Sequence, residues 1–211
     1  MGSAVDRSSA PAGDEASALL FLSEHEAATL DALASRILPG DASDPGASEA
    51  QALAYIDRAL AGFLRDLQSV YRAGLRELDR FAWADAGKQY AALSAKQQDA
   101  LLETLDQEWL RQEGESRPAA ESEGAPRIAA LARFFAIVRE HVVQGTFCDP
   151  EYGGNCGGVG WRLVGFPGAQ FGYSAEQMQR GFDAGAIAPM TLADLRAQMT
   201  ATRPTAVAED G

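Results

Sequence analysis

Two histidines and two cysteines are the only residues of their kind in this 211-residue chain, so nucleophilic, metal or acid–base chemistry is sought first at His25, His141, Cys148 and Cys156. His25 sits between Glu24 and Glu26. In a first helical turn these three side chains diverge, which excludes a metal site and favours a capping role beside the positive end of the helix dipole. His141 precedes Asp149 and Glu151, and an acid–base centre of His141 with either carboxylate is the catalytic reading considered for it. The competing reading is a satisfied, partly buried histidine, because His141 follows Val138 and Phe134 at helical spacing. Asp41 and Asp44 lack the ligand alternation and closing glutamate of a calcium loop and read as turn residues. The cysteines form neither a Cys-x-x-Cys redox pair nor a haem attachment site. No Gly-x-Ser-x-Gly turn, His-Glu-x-x-His pair or dinucleotide fingerprint occurs.

The elements that must position these residues are helical. Ser23 and Glu26 form a capping box ahead of Leu30, Leu33 and Ile37, and Pro39-Gly40 ends that helix. Ser48 and Gln51 repeat the pattern ahead of Leu53, Ile56, Leu60, Phe63, Leu64 and Leu67. Val70, Leu78 and Phe81 mark a third helix to about Trp83, and Ser94 with Gln97 opens a fourth carrying Leu101, Leu105 and Trp109. Residues 112–126 have little apolar material and read as a mobile connection. A fifth helix follows Pro126, with Ile128, Leu131, Phe134, Phe135, Val138 and Val142 on a wide apolar face, and Gly145 suits its left-handed C-terminal position. Ser174 to Phe182 reads as a short helix, and Thr191 with Asp194 opens a last one reaching about Met199. Alternation long enough for a sheet is missing, so the expected fold is mainly α, a compact domain of about five to seven helices with a Gly- and aromatic-rich irregular segment near the C-terminus.

That segment, residues 145–168, reads GTFCDPEYGGNCGGVGWRLVGFPG. Glycines permit positive φ and close backbone approach, while Phe147, Tyr152, Trp161 and Phe166 supply apolar area at low entropic cost. A phosphate cradle is excluded by context: a helix precedes, no lysine is present, and Asp149 and Glu151 add negative charge. Two readings stay open: a surface loop whose aromatics tuck onto the protein's own core, and a docking element whose aromatics stay exposed for a partner.

The run FFAIVREHVVQGTFCDPEYGGNCGGVGWRLVGFPG resembles the closing signature of the gluconate 2-dehydrogenase subunit 3 family: a helix, Gly-x-Phe, Asp-Pro-x-Tyr-Gly-Gly-Asn, a Gly-Trp pair and Gly-(Phe or Tyr)-Pro-Gly. LSEHEAATLDALASRILPGD resembles its opening helix more weakly. The resemblance spans about residues 20–168. It implies a non-catalytic small subunit without its own cofactor, bound to a large FAD-dependent oxidoreductase of the glucose-methanol-choline type that acts on a sugar, sugar acid or glycoside. A cytochrome c subunit often completes such assemblies, and the implied location is the periplasm, with the cytoplasm as the alternative. The interface residues implied are Phe147, Tyr152, Gly153, Gly154, Asn155, Trp161, Phe166 and Pro167.

Cys148 and Cys156 stand in that motif where a small polar and a charged residue are more usual. In an exported protein the pair reads as one disulfide, worth roughly 2 to 3 kcal/mol if unstrained. A covalent bond to the large subunit and two reduced thiols are the alternatives. A net charge of −12 disfavours nucleic acid and anionic lipid as partners, and no apolar run is long enough to span a bilayer. Residues 1–19 are expected to be a disordered segment or a remnant of added sequence, without a recognisable export signal. Residues 20–199 form one domain, and 200–211 a disordered tail. An independent enzyme using His141 and Asp149 or Glu151 remains the functional alternative, with a free-standing structural protein as a third.

Overall fold

The computed structural model describes residues 18–41, 43–114 and 127–201. Residues 1–17 of the expected N-terminal segment, 115–126 of the connection and 202–211 of the tail lie outside the described residues. Among those described there are seven α-helices and no strand: α1 (Glu24–Ile37), α2 (Ala52–Ala61), α3 (Gln68–Ala86), α4 (Ala95–Gly114), α5 (Arg127–Phe147), α6 (Val159–Leu163) and α7 (Leu192–Ala201). The mainly α class is therefore as the apolar spacing indicates.

α5 is the central helix and packs against α1, α2, α3 and α4. Its Leu131, Phe134, Phe135, Val138 and Val142 enter one core with Leu30 and Leu33 of α1, Ile56 and Leu60 of α2, Tyr71, Leu75 and Leu78 of α3, and Leu102 and Leu105 of α4. Each such large side chain contributes about 1.5–3 kcal/mol by leaving water. The α3–α5 crossing is close because Gly74 has no side chain: a Cβ there would collide with the Phe134 ring. Tyr71 meets the same ring edge-on, with centroids 5.5 Å apart.

Polar groups fix the helix ends. Ser23 and Glu26 form the expected capping box on α1, and Thr191 with Asp194 caps α7. At α4 the Gln97 carbonyl oxygen accepts from the Ser94 backbone and hydroxyl. The Gln68 side chain donates to the Leu60 carbonyl, satisfying an acceptor at the end of α2. Asp57 does something its position in a helical stripe does not announce. Nearly buried, its carboxylate accepts the backbone N–H groups of Leu20, Phe21 and Leu22 at 2.6, 3.0 and 2.8 Å, which clamps the segment before α1 onto α2.

Several expectations are corrected. Ser48 and Gln51 form no capping box: Gln51 takes a left-handed conformation (φ 56°) without a side-chain cap, and the Ser48 hydroxyl pairs with that of Ser35 at 2.9 Å. α2 ends at Ala61, capped by Gly62, so Phe63 leaves its stripe and is 68% exposed. α4 continues to Gly114 and α7 to Ala201, taking in the first residues assigned to the connection and the tail. Ser174 to Phe182 makes turns and no helix. His25 does not cap α1, because its Nε2 reaches Asp79 of α3 at 2.7 Å.

Candidate docking site

α5 does not stop at Gly145. It runs through to Phe147, and Gly145 serves close approach: a Cβ there would lie 3.1 Å from the Ala52 Cα and 3.1 Å from the Tyr55 Cβ on α2. The buried Gly145 carbonyl, in the last turn of α5, then becomes an anchor for the segment that follows, accepting the Asn155 N–H at 2.8 Å.

Asn155 organises that segment. Fully buried and left-handed (φ 45°), it donates from Nδ2 to the Cys148 carbonyl and accepts the Gly160 N–H at Oδ1, both at 2.8 Å. Asparagine tolerates this backbone conformation better than other side chains and brings both a donor and an acceptor. Two glycines are required by packing: a Cβ on Gly154 would strike the Gly145 carbonyl, and one on Gly160 would strike that of Thr146. α6 can therefore cross the end of α5 directly. Trp161 of α6 closes the crossing, donating from Nε1 to the Phe147 carbonyl at 2.8 Å and packing edge-on to Phe166 at 5.5 Å.

The eight residues assigned to the interface thus separate by burial. Asn155, Gly154, Trp161 and Pro167 are buried, and Phe147 and Gly153 are partly covered, so these six build the scaffold. Tyr152, 50% exposed, and Phe166, 47% exposed, face outward, and Leu163 and Val164 join them as exposed apolar residues. The aromatics divide accordingly: Trp161 tucks onto the protein's own core while Tyr152 and Phe166 stay exposed. Phe147 and Tyr152 also line an apolar cleft of about 420 Å³ with Tyr55, Phe63, Val143 and Cys148.

The cysteines are not joined to each other. Cys148 is half-buried with its Sγ 3.6 Å from the Gly145 carbonyl, and burial raises its thiol pKa; Cys156 is exposed. The disulfide read from the sequence is absent because the Cys148 thiol turns back on the end of its own helix.

The acid–base candidates do not come together either. His141 is buried, its Nδ1 is 2.7 Å from the Tyr71 hydroxyl, and the two rings stack. Burial lowers the His141 pKa against the opposing charge of Glu140, and burial also drives the Tyr71 phenol far above its usual range. Asp149 accepts the Glu151 N–H at one oxygen and the Leu192 N–H at the other. Glu151 holds Arg196 through both oxygens, at 2.8 and 2.7 Å. Each group has a structural partner. Among the described residues no cluster of three or more His, Cys, Asp or Glu could hold a metal, and no helix is long and apolar enough to cross a membrane.

Residues 24–168 match the family model described as Gluconate 2-dehydrogenase subunit 3. The chain belongs to this family. The matched span opens at the first residue of α1 and closes at Gly168, the end of the Asn155-centred scaffold. By its description, this subunit 3 family is part of a dehydrogenase complex. Neither the curated proteins nor the solved structures yield a match.

Outside the family span, residues 169–201 fold back on the scaffold. Met190 exchanges backbone hydrogen bonds with Pro167 and Ala169, and α7 is tied down by Asp149 and Glu151. Sequence reasoning missed this return, since pairings between residues more than twenty positions apart leave no local signal. It also missed the exposed Leu163, at the end of the five-residue helix whose other face Trp161 occupies, and Val164 just beyond it.

Proposed function

We propose that this chain is the non-catalytic small subunit of a sugar, sugar-acid or glycoside dehydrogenase. It docks on and stabilises a large FAD-dependent oxidoreductase of the glucose-methanol-choline type. FAD resides in that partner, a cytochrome c subunit is an optional third component, and the assembly works in the periplasm. One observation carries the reading. Within the family span, Tyr152 and Phe166 are held outward by a scaffold whose buried polar groups are internally paired, so exposed aromatic area is presented without further ordering cost.

The test is co-expression of the tagged chain with its large subunit, followed by purification and a visible spectrum. A flavin spectrum is expected with the wild-type chain and is expected to disappear with Tyr152→Ser/Phe166→Ser, while the circular dichroism of the small subunit stays unchanged. A large subunit that folds, takes up FAD and works without ever binding this chain rejects the proposal.

A further inference from the structure

α3 carries Arg72, Arg76 and Arg80 at four-residue intervals, which aligns the three side chains on one ridge that Trp83 continues. The ridge walls a groove of about 500 Å³ completed by Ser23, His25 and Glu26 at the start of α1 and by Gln89 beyond α3. In a chain of net charge −12 this concentration of arginine runs against the average surface.

A solvated helix face with ordinary ion pairs is the bland explanation, and it covers only the Glu77–Arg80 pair, since the groove's own acids are engaged elsewhere. Asp79 is occupied by His25 at one oxygen and by the Tyr90 N–H at the other. Glu26 accepts the Ser23 N–H and hydroxyl, both at 2.9 Å. Arg72 lies 4.7 Å over the Phe21 ring, which fixes it along the wall, and Arg80 is held at 3.3 Å by Glu77. Arg76 is exposed and has no ion pair among the described residues. Trp83 is 62% exposed, although Leu75, Leu78 and Ala82 of the same helix are buried. Like charges four residues apart weaken a helix, so this ridge is a cost to the free chain that an opposite charge would relieve.

We infer that the groove is a second docking site, one that takes a carboxylate-rich segment of a partner protein. Carboxylates pair with the forked donors of Arg76 and Arg80, and an apolar neighbour packs on Trp83, the residue types that dominate binding energy at protein interfaces. None of these residues lies in 145–168, so the site stands or falls independently of the docking role of that segment.

The experiment titrates the full chain with a hexaglutamate peptide at low salt, following tryptophan fluorescence and binding heat, with hexaglutamine as the neutral control. Saturable, salt-sensitive binding of hexaglutamate alone is expected. Arg76→Ala/Arg80→Ala weakens it by about tenfold or more, as loss of two charge-assisted contacts requires. Arg65→Ala, also on the surface, leaves it unchanged, and Trp83→Phe removes the optical signal while heat of binding persists. Equal binding of both peptides, or an arginine double variant that binds like the wild type, overturns the inference. So does binding of inorganic phosphate with the same arginine dependence but no binding of the peptide, since that outcome makes the groove a small-anion site.

Discussion

The α3–α5 crossing and the Asn155 scaffold are both tightly packed, yet they are held by different forces. At the crossing, apolar volume does the work: Phe134 fills the space that Gly74 leaves and meets Tyr71 edge-on, in one core with Leu75 and Val138. In the scaffold, backbone geometry does it: positive φ at Gly153, Asn155, Gly157 and Gly158 turns the chain so that carbonyls and amides meet. A core of the first kind tolerates exchange among side chains of similar volume. A scaffold of the second kind tolerates almost none, and in return it fixes exposed aromatics at defined positions.

The largest effect separating the two regions is expected at Phe134→Ala, which leaves a cavity at the crossing and lowers unfolding free energy by about 3–5 kcal/mol in denaturant titration. Phe134→Leu is expected to recover much of that loss. Asn155→Ala strips partners from the Gly160 amide and the Cys148 carbonyl and costs about 1–3 kcal/mol; Asn155→Asp, nearly isosteric, is expected not to recover it, because the Nδ2 donor is gone. Recovery by Asp would break the comparison, showing that volume and not bonding matters there. Hydrogen exchange at Gly160 reads the local loss directly.

A smaller effect comes from His141, whose pKa burial lowers in the folded state. The unfolded chain then binds the proton more readily, so the stabilisation is present above the unfolded value of about 6.5 and is lost as pH falls below it towards the folded value. The slope from this one group is at most about 1.4 kcal/mol per pH unit, and His141→Gln is expected to flatten the stability profile in that window. An unchanged profile would mean that His141 titrates alike in both states. The smallest effect is at Glu151→Gln, which breaks the exposed pair with Arg196. It is expected to leave Tm unchanged while speeding amide exchange in α7, a helix with no buried residue.

Much of the bundle could be read along the chain because its signals are local. The capping residues of α1 and α7 lie three positions apart, and the apolar stripes of α3 and α5 repeat within a single helix, so their hydrogen bonds and buried faces follow from short-range spacing. The Gly- and aromatic-rich segment was legible as a family signature, but not as holding the last turn of α5 and the short helix α6. Which of its aromatics would be buried was not: Trp161 is inside because the Phe147 carbonyl and Gly168 wait for it, and Phe166 is half outside because Trp161 takes that place. Asp57, the free cysteines and the return of residues 169–201 depended likewise on partners distant in sequence. Residue types and spacing set what each segment of this protein could form. Burial and pairing were settled only when the chain closed on itself, because desolvation and hydrogen bonding depend on neighbours in space and carry no signature in local order.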